Sequence, residues 1–185
     1  PLQYIHPTHD ICLATENYLC TLDYKLDIDY YHKIDMRLNK PPKWEFHGLE
    51  DVRLVTWNDN LWITGCRRDT TPNGQSRMEL SRINWNNGNP YESNRFRIPA
   101  PDDTVYCEKN WMPIIDKPFY YIKWSNPTEL AKFDLISRST VSELRGENKK
   151  YTQFRGGTQL IPWNNKYICI GHTVEFLTPK WGQKD

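Results

Sequence analysis

No stretch of this 185-residue chain is apolar over the roughly 20 residues that a helix needs to cross a bilayer, so no membrane span is expected. An excess of one charge is also missing. The 24 Lys and Arg residues stand against 23 Asp and Glu, leaving a formal +1. That balance supplies no long-range field for gripping a phosphate backbone, which excludes a nucleic-acid partner. Cysteine is sparse: Cys12, Cys20, Cys66, Cys107 and Cys169 are far apart and form no CxxC pair. They fit reduced, mostly buried thiols rather than a zinc site or a disulfide framework, and so favour a cytoplasmic setting. The one near-sequon, Asn126-Pro127-Thr128, is disqualified by its proline. No Ser-His-Asp elbow, phosphate-binding loop or dinucleotide fingerprint occurs. The acidic run from Asp23 to Asp35 lacks calcium-loop spacing and reads as a solvated strand face. Neither a metal nor a cofactor is expected. The chain opens Pro-Leu-Gln, with no initiator Met and no secretory apolar region, as in a processed product or an excerpt from a longer polypeptide.

What is present points to a folded chain. Mean hydropathy is low at -0.79, yet 14% of residues are aromatic, with 8 Trp and 11 Tyr, and disordered chains are poor in aromatics. The length suits one domain with a real core. Thirteen prolines and many Asn-rich turns predict short elements joined by frequent turns.

Four segments share a plan in which a polar head is followed by a few apolar residues, a turn and an apolar strand. They are HPTHDICLATENYLCTLDY (6–24), GLEDVRLVTWNDNLWITG (48–65), CEKNWMPIIDKPFYYIKW (107–124) and RGGTQLIPWNNKYICIGH (155–172). Their apolar runs are too short for helices, and turns are expected at Glu16-Asn17, Asn58-Asp59, Asp116-Lys117 and Asn164-Asn165. Aligning Tyr18, Leu61, Phe119 and Tyr167 gives spacings of 43, 58 and 48 residues. The same register puts Pro7, Glu50, Glu108 and Gly156 in one column, then Thr8, Asp51, Lys109 and Gly157. Hairpins repeating at this period are the signature of β-propeller blades. The predicted fold is an all-β propeller with blades near 1–45, 46–100, 101–145 and 146–185. SRMELSRINW (76–85), NRFRIPA (94–100) and ELAKFDLI (129–136) are candidate outer strands, the last also compatible with a short helix. NWNNGNPYESN between the first two reads as loop. The tryptophans at 57, 62, 124 and 163 suit packing between blades, whereas Trp44 and Trp111 are the candidates for stacking on a ligand.

Radial repetition brings such heads to one mouth of the channel. Glu50, Asp51 and Arg53 would then meet Glu108, Lys109, Asn110, Trp111, Arg155, Gln159 and His172. Carboxylates, amides, cations and an aromatic ring in one place are what a polyhydroxylated ligand requires. Arg53, Lys109, Arg155 and His172 could also hold a phosphate, and Gly156-Gly157 would let backbone approach a ligand closely.

GLEDVRL (48–54), EKNWMP (108–113) and RGGTQ (155–159) followed by Gly171-His172 resemble the blade motifs of five-bladed propellers in carbohydrate-active proteins of the glycoside hydrolase 43, 32 and 130 type. They are similar also to propeller modules found with predicted glycosyltransferases. The resemblance implies a fold of five blades, about four of them in this chain. It implies that Asp51 holds sugar hydroxyls or tunes a neighbour, and that Glu108 stands where related glycosidases place a general acid. The first-blade acid of those enzymes has no clear counterpart: Asp10 in the first head and Asp23 are the candidates. Two activities follow as expectations, a glycosidase or glycan phosphorylase using Glu108 and Asp51, or a non-catalytic glycan-recognition module of a glycosyltransferase.

Overall fold

A computed structural model describes residues 13–36, 46–69, 71–101, 107–125, 128–146 and 154–174. Among these residues every regular element is a strand, and no helix is long and apolar enough to cross a membrane. The chain begins with β1 (Leu13–Ala14), β2 (Tyr18–Leu22), β3 (Ile28–Lys33) and β4 (Phe46–His47). β2 and β3 form an antiparallel hairpin, while β1 pairs in parallel with β4. Residues 15–17 therefore join two separate pairings and do not make the hairpin turn expected at Glu16-Asn17. The amide of Asn17 instead donates to the Leu49 carbonyl at 3.0 Å.

Two four-stranded antiparallel sheets follow, each with its strands in chain order. The first contains β5 (Glu50–Trp57), β6 (Asn60–Arg67), β7 (Arg77–Asn86) and β8 (Asn89–Arg97). The second contains β9 (Met112–Pro113), β10 (Tyr120–Ser125), β11 (Thr128–Phe133) and β12 (Thr140–Gly146). ELAKFDLI is thus a strand that ends at Phe133. The last described segment holds β13 (Arg155–Gly156), β14 (Ile161–Trp163), β15 (Lys166–Ile168) and β16 (Gly171–His172), with β13 paired to β16 and β14 to β15.

Three of the hairpins turn on two left-handed residues: Asn58-Asp59, Asn87-Gly88 and Asn164-Asn165. Such pairs match the strand twist, and Asn, Asp and Gly occupy that region at least cost. Asn87-Gly88 lies in the stretch expected to be loop. That loop is only two residues long, because Pro90 to Asn94 continue as β8 and pair with β7. The Glu92 carboxylate is buried there between Ser81 and Arg95. Beside it, Arg97 donates to Glu79 at 2.8 Å and Arg67 grips Asp69. Burial pushes the Glu79 carboxyl up, and the Arg97 guanidinium pulls it back down.

The main core lies between the two four-stranded sheets. Trp57 and Trp62 of the first meet Tyr121 of the second and Phe119 in the turn before β10, with ring centroids 5.2 to 5.6 Å apart in edge-to-face contacts. Trp57 and Trp62 thus pack where the two sheets meet. Trp163 does not, being 58% exposed. Trp44 and the side chain of Trp124 lie outside the described residues.

Candidate functional site

At the head of β5, Glu50 pairs with Cys66, and the register then slips before Arg53. Asp51 occupies that bulge with a φ of 52°, a conformation that Asp tolerates better than most residues. The bulge turns the Asp51 side chain to solvent, with the Cys66 thiol 3.8 Å from its Oδ2. Burial raises the Glu50 carboxyl above its ordinary value; Arg68 and Lys109 oppose this, and Asp51 adds to it. The Cys66 thiol is pushed up to about 11 by burial, which makes it inert rather than nucleophilic.

Arg53 links three segments. Its Nε and Nη2 donate to the Gly157 carbonyl at 2.9 and 2.7 Å, and its Nη1 donates to the Trp111 carbonyl at 2.9 Å. Farther along, Trp57 Nε1 donates to the Ile114 carbonyl at 2.9 Å, and Gln159 Nε2 donates to the Leu54 carbonyl at 3.2 Å. Ile114 and Leu160 bridge in parallel. In every case the partners advance together along the chain, so β5, residues 111–114 and residues 157–160 run side by side in one direction. Because these strands do not form a regular ladder with one another, their facing carbonyls need donors from side chains. Arg53 and Gln159 supply them.

The head of the second sheet goes inward. Glu108 is completely buried, its backbone N–H donating to Ser76 and its Oε1 lying 3.1 Å from the Lys123 ammonium. Trp111 Nε1 donates to the other carboxylate oxygen at 2.8 Å. Lys123 is itself buried and has Glu129 at 3.9 Å. Trp111, fully buried, presents no ring face to a ligand, contrary to the stacking role expected of it. The general-acid role expected of Glu108 meets the same obstacle, since its carboxylate is sealed by Lys123 and Trp111 while that of Asp51 faces water. Lys109, next in sequence, is exposed.

Asn110 adopts a φ of 62°, so backbone conformation matches it with Asp51, one place away from the Lys109 of the counted column. A Cβ on Gly156 would sit 2.1 Å from the Asn110 carbonyl, and one on Gly157 would sit 2.3 Å from that of Ile170. The two glycines therefore allow backbone to meet backbone rather than a ligand. Arg155 and His172 face each other across β13 and β16, and both are exposed.

The polar heads of the second, third and fourth segments thus gather around Arg53. Asp51, Lys109, Arg155 and His172 are exposed and Glu50 is half-buried, while Glu108, Trp111 and Arg53 are turned to structural contacts. The first head, including Pro7, Thr8 and Asp10, lies outside the described residues. Asp23 closes the β2–β3 turn, its Oδ1 accepting from the N–H groups of Lys25 and Asp27 at 2.7 and 3.0 Å. Just before β5 a cleft of about 460 Å³ opens, walled by Thr15, Glu16, Lys33, Asp35 and His47 among others. Among the described residues no group of His, Cys, Asp and Glu is arranged to hold a metal ion. Arg68 and Lys123 were not picked out by the repeat. Lys123 has a signal all the same, a lone cation inside the apolar strand YYIKW, where a charge requires a buried partner.

Compared with known proteins, the chain matches no family model and no curated protein.

Proposed function

We propose that the chain forms an arc of a β-propeller that binds a glycan at its rim without cleaving it. Two meanders of four strands, with first strands running in one direction and joined by Arg53, Trp57 and Gln159, are what consecutive blades require. The last hairpin then stands as the inner pair of another blade. Glu50, Asp51, Lys109, Arg155 and His172 supply acceptors and donors for sugar hydroxyls at the rim, and the cleft beside His47 extends that surface.

The observation that favours binding over hydrolysis is the burial of Glu108. Glycoside hydrolysis needs two carboxyl groups flanking the scissile bond, one able to give its proton to the leaving oxygen. A carboxylate with no exposed surface, ion-paired to Lys123 and hydrogen-bonded by Trp111, cannot reach that oxygen. Recognition uses the rim and leaves Glu108 as part of the frame.

The test is a titration with manno-, xylo- and arabino-oligosaccharides, with and without phosphate, followed by calorimetry and by product analysis. Saturable binding of one class without new products is expected, weakened at least tenfold by Asp51→Ala, about 1.4 kcal/mol. Release of free sugar, or of sugar 1-phosphate when phosphate is present, would overturn the reading, as would no binding to any of the three classes.

A further inference from the structure

Arg53 ties three neighbouring strands at one level through its bonds to the Trp111 and Gly157 carbonyls. Two places before these three residues come Asp51, Lys109 and Arg155, and all three side chains are exposed. Closer contacts carry the same register between the last two. A Cβ on Gly156 would meet the Asn110 carbonyl, and Leu160 bridges to Ile114 at the same offset, so Arg155 stands beside Lys109. On its other side Arg155 pairs with His172. Toward β5, the charge of Lys109 reaches Glu50. The heads therefore present a row across four neighbouring strands: an acid, two cations and an imidazole.

The two cations are not neutralised from within. Arg67, Arg95, Arg97 and Lys123 each hold a carboxylate, whereas among the described residues no carboxylate is ion-paired to Lys109 or Arg155. Like charges side by side repel each other. Gly156 permits the approach, because a side chain there would hold the two strands apart. An anion seated between the cations relieves the repulsion, and the flat fork of a guanidinium matches a carboxylate in particular.

Resting on the glycan reading above, we propose that the sugar bound at this row is acidic, its carboxylate held between Lys109 and Arg155. Asp51 and His172, on either side, take hydroxyls. Arg53 and Gln159 are kept from that work by their backbone carbonyl partners. A neutral sugar leaves the two cations facing each other without a counter-charge.

Calorimetry with two matched pairs tests this: mannotriose against the mannuronic acid trisaccharide of the same linkage, and xylotriose with and without a glucuronic acid branch. In one pair the acidic member is expected to bind roughly tenfold tighter, an advantage that shrinks as salt is added. Lys109→Gln and Arg155→Gln should each remove most of that advantage. Lys166→Gln, which alters an exposed cation at the far end of the same hairpin, should leave it intact. Circular dichroism should show all three variants folded, since the side chains are exposed. Inorganic phosphate should displace the acidic sugar only in large excess; displacement at equal concentration would assign the cations to free phosphate and overturn the proposal. Equal affinity within both pairs would overturn it and leave the glycan reading standing, as would an advantage that survives both head substitutions or is lost equally in Lys166→Gln. No binding in either pair would overturn it too, and the glycan reading with it if arabino-oligosaccharides also fail to bind.

Discussion

Glu108→Gln separates a structural carboxylate from a catalytic one by its effect on stability. In the folded chain the Glu108 carboxylate lies 3.1 Å from Lys123, and both side chains have essentially no exposure. Removing one partner of a buried pair leaves the other charge uncompensated, at a cost of about 3–5 kcal/mol. Glu129 at 3.9 Å retains part of the compensation here, and the Gln carbonyl can still accept from Trp111. The expected loss is therefore about 2–4 kcal/mol. For a domain of this size each kcal/mol shifts Tm by roughly 2–4 °C, so a fall on the order of 10 °C should appear. Denaturation in urea should show a lower midpoint with an unchanged slope. Lys123→Met alone should also destabilise, and the double variant should lose less than the sum, since the pair is then removed together. A Glu108→Gln protein within about 1 kcal/mol of the parent would refute the account, because replacing a catalytic acid with its amide removes reactivity without unsettling the fold.

Arg53→Ala strips the donors from the Gly157 and Trp111 carbonyls, and charge-assisted hydrogen bonds are each worth about 1.5–3 kcal/mol; the expected loss is about 3 kcal/mol by chemical denaturation, partly restored in Arg53→Lys. Gly156→Ala forces a Cβ against the Asn110 carbonyl at 2.1 Å and should cost about 2–4 kcal/mol. Gly88→Ala, whose Cβ would meet nothing but whose φ is +83°, should cost only about 1 kcal/mol, and equal losses would refute the packing argument. The raised Glu50 carboxyl favours folding most below its unfolded value near 4.5, and this contribution is lost as pH rises through the higher folded value. Glu50→Gln should accordingly flatten the decline in stability above pH 4.5 and stabilise the protein at pH 8, by no more than about 1 kcal/mol because the group is half exposed; a steeper decline in the variant would reverse the sign and refute it.

The strands and tight turns were legible because their chemistry is local. Asn58-Asp59 and Asn164-Asn165 tolerate left-handed backbone, and the alternating runs beside them have nowhere to go but a hairpin. The same rule, applied to Asn87-Gly88 within NWNNGNPYESN, shortens an apparent loop to two residues. The counted column and the left-handed backbone positions differ by one place at Asn110. Asp51 sits in a bulge, which adds a residue to its strand. Counting residues cannot see that event.

The site was harder to read because two demands select the same residue types. First strands that run in one direction without a regular ladder leave carbonyls facing one another, and those carbonyls need Arg, Gln or Trp donors. A glycan rim needs Arg, Gln and Trp as well. Arg53 and Gln159 answer the first demand, as their bonds to Gly157, Trp111 and Leu54 demonstrate, whereas Lys109 and Arg155 have exposed side chains. A carboxylate divides in the same way, for Asp51 rides out on a bulge and Glu108 is drawn in by Lys123. The discriminating residue in each case belongs to another strand, 15 positions away for Glu108 and 104 for Arg53. Motif chemistry therefore picks out polar heads, and only the partner across the interface decides which side chain supports the frame and which stays exposed.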